Sequence, residues 1–326
     1  MSARDAVLLL THTRDAFVVD RVAEGLRARG ARAVRVDTDL FPTQLSLSLE
    51  LDANGAAQVL DTGSHALDAD EVRAVWSRRV WLPSLPDDLD PAFRDGCVRE
   101  AATTMSAFLA ALSGVRWIDA LPLVSAAEDK PRQLRAARAA GLHIPRTIVT
   151  NDPTRVRAFR RALGDTAMVT KMLSPLSTSM TGRSFFVHTS LVTDEDLEDL
   201  DGLRLCPMVF QELVPKRVEL RVIYVAGSFF VGAIDASGVE RAKVDWRMAR
   251  AGELRWERAS IPQDVAARLH AVMVALGLSF GAIDLIVRPD GEHVFLEVNP
   301  AGEWGMIERD LALPIGDAIA AALVAT

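Results

Sequence analysis

Hydrophobic runs and their spacing divide the chain into a regular succession of elements. Residues 6–10, AVLLL, read as a short buried strand, THTRD as a turn, and Ala16 to Arg29 as an amphipathic helix that stops at Gly30. ARAVRVD returns as a strand, and this strand-helix-strand opening implies a parallel sheet. QLSLSLELDANGAAQVLD alternates with period two and reads as a hairpin turning at Asn54-Gly55. Val72 to Arg79 gives another strand, PDDLDPAF starts a helix running through Leu112, and RWIDALPLVSAAEDKP closes the first region near Leu121. Ala126 to Ala140 has helical spacing and stops at Gly141, IPRTIVT is a strand and NDP a helix start. Strands and helices alternate from there to the end without a low-complexity linker or an internal repeat, so the class is α/β with tightly joined lobes.

Composition adds exclusions. With 326 residues, 49% hydrophobic and 25% charged, the chain can build two or three lobes with real cores. Its net charge of −7 argues against nucleic acid, which is held through sequence-independent attraction to phosphates. Cys97 and Cys206 lack metal spacing and read as two buried thiols in a reducing compartment. No stretch approaches a membrane span and the apolar run at Val7 to Leu10 is too short for a signal core, so no membrane partner and a cytoplasmic location are expected. The six histidines are scattered, which disfavours a zinc site or a histidine nucleophile.

The segment FGAIDLIVRPDGEHVFLEVNP, Phe280 to Pro300, carries the most chemistry. With Asp290-Gly291 as a two-residue loop, Asp284 lies opposite Glu297, and Asn299 projects from the same face. The opposite face is then apolar, with Ile283, Leu285 and Val287 meeting Val298, Leu296 and Val294. Two opposed carboxylates repel unless a cation, a proton or a buried arginine intervenes. Two acids and an amide oxygen suit magnesium, which takes one or two carboxylates and completes its shell with water and phosphate oxygens. NPAGEWG ends the strand abruptly at this point.

These residues resemble a known family. DLIV with LEVNPAGEW is similar to the metal-binding end of the ATP-grasp ligases. NPAGEWGMIE with LPIGDAIAAAL resembles the branch that matures ribosomal peptides, including the microviridin-type or graspetide cyclases. VLLLTHTRDAF with DTDLFP, WSRR and KPRQLRAARAAGLHIPRTIVTNDP extend the likeness almost end to end. It implies a pre-ATP-grasp α/β lobe over residues 1–120 and an ATP-grasp domain over 121–326, with a central lobe to about residue 210 and a C-terminal lobe beyond. ATP and magnesium, two ions by the family pattern, and a homodimer follow from the same likeness.

Nucleotide contacts come partly from the residues and partly from the resemblance. Lys171 ends the short strand AMVTKML, where a buried lysine is costly unless it meets an anion. With Lys130 it matches the family's paired phosphate lysines. SPLSTSMTGRS, with Gly182, resembles the loop that closes over phosphates. The extended run from Gln211 through Glu212 and Leu213 to Val214 can offer backbone groups to a purine edge. By the family pattern Glu212 lies at that hinge, Glu219 takes the ribose hydroxyls, and Arg221 reaches phosphate or the acyl group. Glu219 and Arg221 share a strand face, where they could instead pair with each other.

Lys243, Asp245 and Arg247 occupy alternating positions on one side of an extended segment. They suit either an acidic side chain and its acyl phosphate or a solvated loop with balanced charges. The acidic run Asp194, Glu195, Asp196 reads as a helix start that favours negative charge. The resemblance makes it a dock for the helical leader of a precursor peptide, beside Phe185, Phe186 and Val187. The resulting expectation is an ATP-dependent peptide macrocyclase that turns Asp or Glu side chains into acyl phosphates and joins them to Ser or Thr hydroxyls or Lys amines. Addition of an amino acid to a peptide or small carboxylate, and a nucleotide-responsive binding subunit without turnover, are the alternatives.

Overall fold

The computed structural model describes residues 4–53, 55–173, 189–250 and 252–325, and four sheets organise them. The first third holds β1 (Ala6–Thr11), α1 (Phe17–Ala28), β2 (Arg32–Asp37), β3 (Ser46–Asp52), β4 (Gly55–Asp61), β5 (Ala66–Asp68), β6 (Val72–Ser77), α2 (Pro91–Ala111) and β7 (Arg116–Ile118). The order β2-β1-β6-β7 is all parallel, as the opening pattern requires. The continuous apolar run of β1 is buried on both faces. Val7 and Leu9 face α1, while Ala6, Leu8 and Leu10 face α2. Strands β3, β4 and β5 form a separate antiparallel sheet, with the tight turn between Asp52 and Gly55, one residue earlier than the Asn-Gly signal suggests.

The helix expected over Ala126 to Ala140 is two helices, α3 (Leu121–Ala127) and α4 (Lys130–Ala139). Asp129 accepts from the Arg132 amide and restarts the helix, with Pro131 in its first turn. The same device, Asp152 before Pro153, starts α5 (Pro153–Leu163). The central sheet, ordered β10-β9-β11-β8, consists of β8 (Thr147–Thr150), β9 (Met168–Lys171), β10 (Ser190–Leu191) and, after the short α6 (Asp194–Glu198), β11 (Met208–Glu212). Its small core is its own, Val156, Leu163, Met168, Leu203 and Phe210.

The C-terminal sheet has the order β14-β13-β12-β15-β16 and is antiparallel. It comprises β12 (Val218–Val225), β13 (Ser228–Ile234), β14 (Glu257–Arg258), then α7 (Gln263–Leu276), β15 (Phe280–Val287) and β16 (His293–Asn299), followed by α8 (Gly305–Leu311) and α9 (Ile315–Val324). One core runs from β1 and α1 through Ile223, Phe280 and Trp304 to α9, which joins the first and last parts of the chain in one body. Arg29 grips Asp317 with both ends of its fork at 2.6 and 2.8 Å, and Arg21 reaches Glu308 at 2.6 Å. Both cysteines are exposed rather than buried. Among the described residues no helix is long and apolar enough to cross a membrane.

Candidate active site

The hairpin β15–β16 does place Asp284 opposite Glu297, by a different route from the one expected. Its loop has three residues, Pro289, Asp290 and Gly291. Arg288 and Glu292 close it, and Gly291 takes φ +91°, the left-handed position such loops require. The longer loop shifts the register by one, so Val287 faces His293 and Leu285 faces Phe295. A bulge at Leu296 shifts it back before Glu297. Ile283, Leu285 and Val287 do form an apolar rear, with Phe295 and Val298. Val294 and Leu296, expected at the rear, instead join Ile286 and Val214 in a small apolar cluster of their own.

Each carboxylate is met by cations. Arg221 on β12, directly across from Asp284, donates through Nη1 to both of its oxygens at 2.7 and 2.9 Å, and through Nη2 to the Glu303 carbonyl at 3.2 Å. Lys130, the first residue of α4, stands 3.2 Å from Glu297 and donates to Asn299 Oδ1 at 3.3 Å. Lys171, at the end of β9, stands 3.8 Å from the same Glu297. Burial would raise the Glu297 carboxyl, but Lys130, Lys171 and Arg247 overcome it and hold the group below the usual carboxylate range. Burial pulls Lys171 below the ordinary lysine range; Glu297 opposes this and Lys130 reinforces it. The structure thus brings together Lys130 from α4, Lys171 from the central sheet, and Arg221, Asp284, Glu297 and Asn299 from the C-terminal sheet.

Glu219 and Arg221 do not pair. Glu219 takes Lys216 at 2.6 Å, and burial still raises its carboxyl. The segment bearing Lys243, Asp245 and Arg247 is not extended: 3-10 turns at Glu240–Ala242 and Trp246–Met248 break the alternation. Lys243 faces Glu240, whereas Arg247 binds the buried Asp245 at 2.8 Å and its charge is felt by Asp284 and Glu297. Two cavities flank the end of β11. One of about 470 Å³ is lined by Lys130, Lys171, Gln211 and Leu296, and one of about 600 Å³ by Leu213, Val214, Glu219 and Lys243. Glu212 lies between them, its carboxylate accepting from the Arg146 amide at 3.1 Å.

Asp194 and Glu195 are exposed on α6, while Asp196 closes a capping box with Thr193. The expected phosphate loop, and Phe185 to Val187, lie outside the described residues.

The donor set fits magnesium. Among the described residues no three His, Cys, Asp or Glu side chains converge, and the site offers the two carboxylates and one amide oxygen that suit a phosphate-bridged hard cation. Their flanking ammonium and guanidinium groups match a polyanionic ligand.

One residue with no assigned role proves central. Arg78, just after β6, is 1% exposed, lies 3.3 Å from Asp15, and donates to the Ala301 carbonyl at 2.6 Å and to Glu303 at 2.5 Å. Burial draws its guanidinium down to about 10, against the pull of Glu303 and Asp15. Paired arginines directly after a buried strand, as in WSRR, were the available signal.

A family model described as the MvdD pre-ATP grasp domain matches residues 6–125. The macrocyclase MdnC from Microcystis aeruginosa MRC, solved bound with precursor peptide MdnA, is 36% identical over 98% of this chain and 99% of that chain, with TM-score 0.88. The macrocyclase MdnB from the same organism is 42% identical over 99% of this chain and 100% of that chain, TM-score 0.83. A Chryseobacterium gregarium RiPP-associated ATP-grasp ligase, in complex with ADP and a leader and core peptide, is 29% identical over 98% of this chain and 96% of that chain, TM-score 0.91. No curated protein matches. With a shared fold along nearly its whole length and more than a third of its residues in common with MdnB and MdnC, the chain belongs to the ATP-grasp ligases that mature ribosomally made peptides.

Proposed function

We propose that this ligase uses ATP to activate Asp or Glu side chains of a ribosomal precursor peptide as acyl phosphates and closes rings with Ser or Thr hydroxyls or Lys amines. The observation that carries this is the Asp284–Glu297–Asn299 face ringed by Lys130, Lys171, Arg221 and Arg247. Macrocyclases of the same architecture supply the substrate class.

In this reading Asp284, Glu297 and Asn299 hold magnesium, which when bound neutralises charge on the phosphate oxygens. Lys130 and Lys171 steady the phosphates. Gln211, Glu212, Leu213 and Val214 border the adenine, with Leu296 as its apolar floor, and Glu219 holds the ribose. A peptide carboxylate oxygen attacks the γ-phosphorus and ADP leaves. The hydroxyl or amine then attacks the acyl carbon, its proton is lost, and inorganic phosphate departs. Arg221, Arg247 and Lys243 supply positive charge as the acyl phosphate forms and breaks.

We also propose that the domain boundary falls near residue 121 and that the chain works as a homodimer, which its mass in solution checks. Asp194, Glu195 and Asp196 would receive a basic residue of the leader. Reversing Asp194 and Glu195 to lysine weakens precursor capture at low salt and spares ADP binding; unaltered capture contradicts the dock. Mass spectrometry of a precursor incubated with enzyme, ATP and magnesium tests the whole reading. Loss of one water per ring supports it, and a gain of one amino-acid residue contradicts it.

A further inference from the structure

Two consecutive arginines follow β6 and serve different surroundings. Arg78 is buried and held by the charges of Asp15 and Glu303 and by the Ala301 carbonyl, although its Nε makes no aligned hydrogen bond. Arg79 is 37% exposed and its side-chain contacts are long: Nε to the Ala301 carbonyl at 3.4 Å, and Nη2 to Glu303 Oε2 at 3.8 Å. A guanidinium carries five donors in a rigid fork, so Arg79 retains capacity for an oxyanion.

The position is one where ligands gather. Strands β1 and β6 are neighbours, and α1 and α2 pack on opposite faces of their sheet. The carboxyl ends of strands at such a reversal form the crevice in which open parallel sheets take ligands. Trp81, 39% exposed, forms a wall there: His12 stacks on it at 3.6 Å and Arg14 lies 5.8 Å from its ring centre.

The acids around this crevice are already engaged. Asp15 serves Arg78, Asp37 serves Arg35, Asp39 accepts from the Thr13 amide and hydroxyl, and Glu303 serves Arg78 and the amides of Trp304 and Gly305. Among the described residues no ion pair is formed by Arg14, and Arg79 has only its 3.8 Å approach to Glu303. Through the Glu303 carbonyl, Arg221 and then Asp284, this crevice joins the carboxylate face of the active site.

We propose that Arg79 is a specificity-determining residue that pairs with a carboxylate of the incoming peptide beside the Trp81 face. Arg78 is the positioning residue that fixes the Ala301–Glu303 turn next to it. This rests on the peptide-ligase reading above and gives the first third of the chain a part in choosing acidic side chains.

The test is a calorimetric titration of two probes, MdnA and MdnA with its Asp and Glu replaced by Asn and Gln, against wild type, Arg79→Gln and Arg79→Lys. Wild type binds the acidic probe about tenfold tighter or more. Arg79→Gln loses that preference while ADP affinity holds, and Arg79→Lys restores part of it. A merely structural role would weaken both probes alike and leave their ratio unchanged. A ratio preserved in Arg79→Gln, or equal affinities in wild type, overturns the proposal. A wild type that binds neither probe overturns the crevice assignment, while the peptide-ligase reading is judged separately by the mass change of a precursor.

Discussion

Hairpins β3–β4 and β15–β16 carry the same kind of turn signal, Asn54-Gly55 in one and Asp290-Gly291 in the other, but they are built for different surroundings. The first keeps one register from Ser46–Asp61 to Asp52–Gly55, and only Leu60 in its two strands is buried. The second has a longer loop and a bulge, and nearly all of β15 is buried. A hairpin largely exposed to water gains little from any particular side-chain placement. One packed on two faces is held to a single register, because a slip of one residue would turn its core face outward. The bulge at Leu296 therefore has two consequences: it returns Glu297 to Asp284, and it leaves Leu296 in the apolar cluster with Val214 beside the charged face.

The largest expected effect lies on the second hairpin. Glu297→Gln or Asp284→Asn lowers the rate of product formation by roughly 10²–10³-fold or more, with the fold retained by circular dichroism. Near-normal turnover at ordinary magnesium concentration in either variant would remove the metal assignment.

Lys171→Met comes next, with nucleotide affinity reduced about tenfold and folding preserved, since the aliphatic stem is kept. Its pH dependence has two opposite signs. Because the folded state holds this lysine below its ordinary 10.5, the unfolded chain binds more protons between the two values, and stability of the free chain rises with pH across that window. Nucleotide binding falls across the same window as the ammonium is lost. Melting temperatures and ADP titrations on wild type and Lys171→Met check this: the variant should lose both slopes, and unchanged ADP affinity would make Lys171 structural.

Much of the fold was legible. The buried run of β1, the Asp-Pro helix starts and the alternation of the hairpins need only local rules. The opposition of Asp284 and Glu297 was also legible, although by compensation: a loop one residue longer than assumed is cancelled by one bulged residue, and neither departure has a local signature. Asp129-Lys130-Pro131 is itself a helix-start signal, but apolar spacing continues across it and hides the break. Alternating charges at Lys243, Asp245 and Arg247 imitate a strand that 3-10 turns interrupt. Arg78 was invisible in role because Glu303 lies 225 residues away.

Leu296→Ala sharpens the account of the bulge. Shortening this partly buried side chain costs about 1 kcal/mol of stability, and ADP affinity falls by several-fold, about the worth of one apolar contact. Affinity unchanged by calorimetry would place the adenine elsewhere. The smallest effect belongs to the first hairpin. Leu51, 78% exposed, can become lysine with a stability change within about 0.5 kcal/mol and no change in turnover. A large loss of activity would show that β3–β4 serves the site after all.

In the proposed function, the face of β15–β16 couples ATP cleavage to ring closure in a peptide. The most direct test of this coupling counts phosphate released against water lost from a precursor, in wild type and Glu297→Gln under the same magnesium and ATP. Wild type should release about one phosphate for each ring closed, and the variant should form neither product. Phosphate release without any change in peptide mass, or ring closure that survives Glu297→Gln, would contradict it.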